Sequence, residues 1–158
     1  MSKVKFISSG PKRKIDRVMS RLVITLSQTQ ANTIVFTPDD PVTLVRALFR
    51  GHIGPTADNT VCISEVCLNV APNGQVIIDA VAPSTVSLDQ AVPNEEIFRL
   101  QMFGSRQATA TYQLNEYIVD TKAMRKIRKS DVICFSNTRT SDGAGVLFGI
   151  LYLWFKEA

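Results

Sequence analysis

The sequence predicts an all-β protein, an antiparallel sandwich or barrel, on three observations. Val, Ile and Thr supply 42 of the 158 residues, and these side chains pack better on a pleated sheet than on a helix. Short apolar segments alternate with turn signals along the whole chain, and no helical repeat interrupts them. The length fits one domain, because a chain of this size buries roughly two-thirds of its accessible surface on folding.

The first predicted strands follow a charged N-terminal segment. Residues 21–27 alternate between apolar and polar, which is typical of a half-buried strand. Residues 33–37 form a second extended piece, which the Pro-Asp-Asp-Pro turn at 38–41 ends before the strand at 42–53. The core side chains expected from these strands are Leu22, Ile24, Leu26, Val45, Ala47 and Phe49.

The middle of the chain is predicted to hold a hairpin and two loops. Residues 61–70 and 75–82 flank an Asn-Gly pair, which favours a tight turn between two strands. Residues 83–96 are polar and contain two prolines, so a long loop is expected there before the strand at 97–103. The small residues at 104–109 predict another loop.

Three further segments complete the predicted sheets. Residues 111–120 alternate again, and residues 131–137 form a short strand. Residues 146–155 carry no charge and are apolar on both faces, but ten residues cannot cross a bilayer as a helix, which needs about 20. We expect this last strand to be buried on both sides, within the fold or against a neighbouring subunit. The candidate core positions are Tyr112, Leu114, Ile118, Ile133, Phe135, Phe148 and Ile150.

The positive charge is concentrated in the first 21 residues, where seven basic side chains stand against one acidic. The remaining residues hold 11 basic and 13 acidic side chains, so the rest of the chain is nearly neutral. Such an arm can neutralise phosphates without a fixed fold, because counterion release is not sequence-specific; a solubilising tail is the alternative. The candidate nucleic-acid-binding residues are Lys3, Lys5, Lys12, Arg13, Lys14, Arg17 and Arg21.

A second basic cluster lies between the last two predicted strands. It is either one helical turn on an apolar foot of Met124 and Ile127 or the lead-in to the next strand, and a solvated face is its commonest explanation. No aromatic residue except Phe6 interleaves either basic run, so binding is expected to depend on the phosphate backbone. The cluster comprises Lys122, Arg125, Lys126, Arg128 and Lys129.

The sequence offers little for catalysis. His52 is the single histidine, and no Gly-rich phosphate loop, nucleophile elbow or zinc-protease motif occurs. The three cysteines, in a chain without a signal peptide, predict free buried thiols in a reducing compartment. We therefore expect a protein that is not an enzyme and that holds no cofactor.

Two sets of residues are candidate metal sites, and a simpler explanation applies to each. Asp39 and Asp40 lie between prolines and are weak candidates for a hard cation, but a solvated turn explains them better. A zinc site lacks the paired ligand spacing of known sites, so no metal is expected. Its ligands would have been His52, Cys62, Cys67 and Cys134.

Three stretches carry a resemblance to a known family. They follow the basic arm in the order 43–46, 117–131 and 148–155, the last reading Phe-Gly-Ile-Leu-Tyr-Leu-Trp-Phe. Together they resemble the single jelly-roll capsid proteins of small viruses, especially those of circular single-stranded DNA viruses that encode a replication initiator. Many of these proteins have a glycine where this chain has Ser130.

The resemblance implies an eight-stranded antiparallel jelly-roll β-sandwich at 21–158 behind a basic, flexible arm at 1–20. It implies a viral coat protein that self-assembles into a T=1 icosahedral shell of 60 copies and contacts packaged single-stranded DNA through the arm. The virion, assembled inside the host cell, would be its location, and no membrane contact is expected. The loops at 83–96 and 104–109 become candidates for subunit contact or outer decoration. The candidate interface anchors are Phe103, Tyr152 and Trp154.

Two other classes stay open from the residues themselves. One is a nucleic-acid-binding β-barrel that does not assemble, and the other is a trimeric β-sandwich interaction module. The arm separates them, because only the first needs it for binding.

Overall fold

The computed structural model describes residues 20–29, 31–71, 95–139 and 143–158. The described residues form nine β-strands and one 3-10 turn at 108–110. The strands are β1 (Ser20–Gln28), β2 (Ala31–Phe36), β3 (Val42–Pro55), β4 (Thr60–Ala71), β5 (Glu95–Gln107), β6 (Thr111–Leu114), β7 (Tyr117–Ile127), β8 (Val132–Arg139) and β9 (Gly145–Glu157).

The strands form two antiparallel sheets with the strand order of a jelly roll. The four-stranded sheet has the order β1-β9-β3-β7, and the five-stranded sheet has the order β2-β8-β4-β5-β6. Eight strands make two sets of four, and the short β6 is an additional edge strand beside β5. The predicted all-β jelly-roll sandwich is confirmed.

The inner faces of the two sheets meet in one hydrophobic core. The Phe49 ring packs against the Phe135 ring of the opposite sheet, with centroids 5.4 Å apart and planes tilted by 38°. It also lies over the paired glycines Gly51 and Gly149, where an added Cβ would come within 2.6 Å of the ring. The largest fully buried side chains are Phe49, Phe135, Leu44, Ile53, Leu68, Met102, Ile127, Ile133, Leu147, Leu151, Leu153 and Val66.

In the described chain β9 is buried on one face only, so burial of its other face is not met within the fold and stays a prediction for a neighbouring subunit. Leu147, Leu151 and Leu153 are fully buried on the core side. Phe148 and Ile150, which were predicted in the core, are 43% and 37% exposed. Since β9 is hydrogen-bonded to β1 and β3 in the middle of its sheet, its alternate residues must lie on the outer face.

A bulge explains why Val45 is absent from the buried core. The register of β3 against β9 shifts between Leu44 and Arg46, which inserts Val45 as an extra residue. Leu44 and Ala47 are therefore both buried, although they are three residues apart. The earlier strand behaved as predicted: Leu26 is buried, while Leu22 and Ile24 pack against the core.

The predicted loop at 104–109 is wrong over residues 104–107, because β5 continues to Gln107. Gly104 permits this continuation, since an added Cβ would collide with the carbonyl oxygen of Ile53 in the opposite sheet. The two sheets approach so closely at this point that only a glycine fits.

The segment at 111–120, predicted as one strand, is divided between the two sheets. β6 ends at Leu114, and β7 begins at Tyr117 in the four-stranded sheet. The Tyr117 hydroxyl accepts a hydrogen bond of 3.0 Å from the Phe103 backbone N–H, which ties β7 to β5. Ile118, predicted in the core, is 54% exposed as a result of this change of sheet.

Several predictions lie outside the described residues. They are the arm at 1–19, the hairpin strand at 75–82, most of the loop at 83–96, and the side chains of Tyr112 and Leu114. No helix in the described part of the chain is long and apolar enough to cross a membrane.

The three cysteines are buried and form no disulfide bond, as expected. Cys62 belongs to the core, whereas the Cys67 thiol lies 3.2 Å from Asn69 Oδ1 and 3.6 Å from Glu96 Oε2. Burial raises the pKa of Cys67 to about 12, and the Glu96 carboxylate is the second cause of this rise. The folded thiol therefore stays protonated where an unfolded one ionises.

Gly104→Ala is expected to lower the free energy of unfolding by about 1–3 kcal/mol, because the methyl group would force the two sheets apart. Chemical denaturation measures the change. The neighbouring Ser105→Ala is the control and should change stability by about 0.5 kcal/mol or less. Equal effects of the two substitutions would contradict the close approach of the sheets.

The raised pKa of Cys67 predicts a loss of stability at alkaline pH. Above its ordinary pKa of 9.0 the unfolded thiol releases a proton that the folded thiol keeps. The free energy of unfolding should therefore fall as pH rises from 9 toward 12, by up to about 1.4 kcal/mol per pH unit. Denaturation of the native chain and of Cys67→Ala between pH 8 and 11 checks this. The same pH slope in both proteins would refute it.

Candidate interaction face

The outer face of the four-stranded sheet carries both charged and apolar side chains that are exposed. We call it the basic face, defined by the outward side chains of β1, β9, β3 and β7. The register places four of them in one row across all four strands: Arg21, Trp154, Arg46 and Lys122. The adjacent row contains Lys156, Thr43 and Lys126. These two rows hold five cations and no acidic residue.

Aromatic and cationic groups are stacked on one another in this part of the basic face. The Arg46 guanidinium lies 4.5 Å from the centroid of the Trp154 ring. The Tyr152 ring stacks beside Trp154, with centroids 6.0 Å apart and planes 20° apart. Arg21 lies over Tyr152 at 5.8 Å. The four groups, which we call the stack, are held by cation–π contacts and by their positions on neighbouring strands.

An ion pair fixes the orientation of Arg46. Its Nε and Nη2 atoms donate hydrogen bonds of 2.8 and 2.6 Å to the two carboxylate oxygens of Asp120. The hydrogen bond from Arg46 lowers the pKa of Asp120, and that same bond raises the pKa of Arg46. Since a two-point pair constrains the guanidinium plane, Asp120 holds Arg46 over the indole.

The other end of the basic face mixes exposed apolar side chains with one ion pair, in which Arg50, the register partner of Ile150 and Ile118, lies 3.1 Å from Glu116. Phe148 and Ile150 are exposed there, with Ile118 and Val23 on the flanking strands. The His52 ring stacks on Phe148 at a centroid distance of 5.4 Å. Two hollows of about 460 and 550 Å³ share the His52 and Phe148 walls. The face therefore changes along its length from cationic and aromatic to a mixture of apolar residues and one neutral ion pair.

The five-stranded sheet has a different outer surface in the part that is described. Arg99 bridges two acids, with contacts of 2.5 Å to Glu65 and 2.9 Å to Glu96. This cluster has a net charge of −1. Within the described residues, the outer surface of this sheet thus carries an acidic cluster where the basic face carries cations.

The structure places one residue of the predicted binding arm. Arg21 lies in β1, exposed on the basic face, while Lys3, Lys5, Lys12, Arg13, Lys14 and Arg17 lie outside the described residues. Ser20, opposite Phe155, is where the chain enters the sheet. The arm therefore joins the fold at the cationic end of the basic face.

The second basic cluster is divided by strand alternation. The helical turn is wrong, because residues 117–127 form β7. Lys122 and Lys126 lie on the basic face, whereas Arg125 alternates to the other side. Beyond the strand, Lys129 is exposed in the turn that leads to β8.

Arg128 has a structural role in that turn. Its backbone N–H and its guanidinium donate to the carboxylate of Asp131, at 3.0 and 3.1 Å. Asp131 is buried, and its own N–H returns a hydrogen bond of 3.0 Å to the Arg128 carbonyl. The pair therefore closes the connection between β7 and β8.

The candidate metal ligands do not come together as a site in the described structure. Asp39 and Asp40 are exposed in the turn before β3. Within the described ranges, no three His, Cys, Asp or Glu side chains come together as a group that could hold a metal ion. The His52 ring stacks on the Phe148 ring.

The sequence-based expectation missed the aromatic part of this face. The basic runs of the sequence contain one aromatic residue, Phe6. In the fold, Trp154 and Tyr152 come from β9, and the cations beside them come from three other strands. The available signal was the i, i+2 spacing of Phe148, Ile150, Tyr152 and Trp154. Of the predicted interface anchors, Tyr152 and Trp154 lie on the basic face, and Phe103 is half-buried in β5.

Comparison with known proteins gives matches in structure only. No protein-family model matches the sequence, and no curated protein matches it. Distant structural matches are to virus structures. The infectious bursal disease virus Gt strain aligns at 10% identity and a TM-score of 0.30, over 88% of this chain and 34% of the other.

Two further matches are of the same kind. The Gx strain of infectious bursal disease virus aligns at 10% identity and a TM-score of 0.31, over 89% of this chain and 33% of the other. Desmodium yellow mottle tymovirus aligns at 14% identity and a TM-score of 0.22, over 85% and 88%. The chain spans about a third of the length of the two bursal disease virus chains.

Proposed function

We propose that this chain is a viral coat protein whose jelly roll at 21–158 assembles into a closed shell. The observation that carries the proposal is the acidic cluster on one outer surface where the basic face carries cations. A shell has an inner side that meets packaged polyanion and an outer side that meets solvent. A sandwich with five cations in two rows of one sheet, one of them paired with Asp120, and the −1 cluster of Glu65, Glu96 and Arg99 on the other, fits that division.

The place where the arm joins the fold supports the same orientation. β1 begins at Ser20 opposite Phe155, so the arm is attached at the cationic end of the basic face. Arm and face would then contact the same polyanion. Counterion release gives such contacts affinity without base specificity.

The finer assignment follows the family resemblance. We propose a T=1 shell of 60 copies around single-stranded DNA, present in the virion after assembly in the reducing interior of the host cell. Sixty arms of net charge +6 bring about 360 positive charges to the genome, which neutralises part of a strand of a few thousand nucleotides. The assigned role is structural rather than enzymatic.

A nucleic-acid-binding sandwich that does not assemble is the second candidate. The basic face favours it directly, because a cationic surface binds a polyanion whether or not copies of the protein associate. Assembly is the property that separates the two candidates.

The coat-protein proposal predicts closed particles of uniform size in the purified full-length protein. Negative-stain micrographs and sedimentation velocity measure this, and an absorbance spectrum reports co-purified nucleic acid. Monomer alone at high protein concentration, across low and high salt, would exclude the coat-protein function.

The proposed arm predicts a change in salt dependence when its charge is removed. The triple substitution Lys12→Gln, Arg13→Gln, Lys14→Gln should reduce the slope of log affinity against log salt for a single-stranded oligonucleotide by about 2. Fluorescence anisotropy at several salt concentrations gives the slope. An unchanged slope would show that these residues do not contact phosphates.

A further inference from the structure

We propose that the stack on the basic face is a binding site for single-stranded nucleic acid, in which bases stack on its rings and guanidinium planes and phosphates pair with Lys122 and Lys126. This deepens the proposed function by adding a folded site to the arm, and the site itself requires no shell. It also replaces the expectation of a purely backbone contact.

The stack has the chemistry that unpaired bases recognise. Each base has a π-face, and aromatic rings and Arg guanidinium planes are the protein groups on which unpaired bases stack. Trp154 and Tyr152 supply two rings, with Arg46 and Arg21 at the two ends. Asp120 holds Arg46 in place before any ligand binds, which lowers the entropy lost on binding.

The lysines lie where the sugar-phosphate chain would pass. Lys122 is the register partner of Arg46, and Lys126 lies in the next row of β7. Both are exposed, and the charge of Lys122 also helps to lower the pKa of Asp120 on the same face. The row from Arg21 to Lys122 crosses three inter-strand spacings, about 14 Å. Stacking groups and cations thus lie side by side on one face, which suits a strand whose bases project from a backbone of phosphates.

The charge of the face favours a polynucleotide over a second copy of the chain. Two copies pairing through this face would bring their cationic rows together, and like charges across an interface are unfavourable. A single strand offers negative phosphates and free base faces at once. In a duplex the base faces are already stacked, so the aromatic part of the site would have no partner.

Trp154 reports on its own site, because it is the single tryptophan of the sequence. Titrating the full-length protein with a short oligo(dT) is expected to quench its emission, since a base would stack against the indole or its flanking groups. Inorganic polyphosphate is the matched ligand, because it brings the negative charges without bases. It should leave most of the emission unchanged.

Substitutions separate stacking from charge, measured by anisotropy of a labelled oligo(dT). Trp154→Leu should weaken binding about fivefold or more, whereas Trp154→Phe should keep most of the affinity. Lys122→Gln should reduce the salt slope by about 0.7, and Lys129→Gln, the same change in the turn beyond β7, should not. Thermal denaturation of each variant confirms that the fold is kept.

Three results would overturn the site. Oligo(dT) binding without a change in Trp154 emission, or an equal change with polyphosphate, would leave the arm as the contact. A Trp154 signal that depends on protein concentration alone would make the face a contact between copies. Particle formation, recorded on the same samples, is independent: particles without quenching refute the site and keep the coat function, while quenching without particles supports the site and refutes the shell.

Discussion

The insertion of β9 between β1 and β3 is the constraint on which the rest of the structure depends. Its pairing with β3 extends from Pro55↔Gly145 to Val42↔Glu157, and its other edge pairs with all of β1. The paired glycines Gly51 and Gly149 leave room for the Phe49 ring, which lets the sheet pack closely on Phe135. The first, third and last strands of the chain are thereby fixed in one sheet.

The same strand gives the sandwich two different sides. Leu147, Leu151 and Leu153 face the core, so Phe148, Tyr152 and Trp154 must face outward beside the cations of the neighbouring strands. Mutual stacking and the Arg46–Asp120 pair keep these groups ordered on an exposed surface. The opposite sheet has no counterpart to this arrangement among its described residues, because Arg99 is there enclosed by Glu65 and Glu96.

Strand periodicity and turn residues predicted the fold class and most strands, including β1, β4 and β8, because both signals are local. The errors came from contacts between distant residues. Nothing local indicates that Gly104 faces Ile53, so a strand was taken for a loop, and the bulge at Val45 depends on pairing with β9. When a strand is apolar on both faces, its sequence does not show which face is turned to the core, so Phe148 was predicted there although it is exposed. The sequence predicted some cations of the site, because they lie in basic runs. It did not predict their aromatic neighbours, which are adjacent to the cations only through the sheet register.

We propose that the sandwich has an inner, nucleic-acid-facing side formed by β1, β9, β3 and β7. A cryo-electron microscopy reconstruction of particles with packaged nucleic acid tests it most directly. The account predicts that the four-stranded sheet lines the interior, with nucleic-acid density against Trp154, Arg46 and Lys122. Particles in which the five-stranded sheet faces the interior, with Glu65 and Arg99 toward the genome, would contradict it.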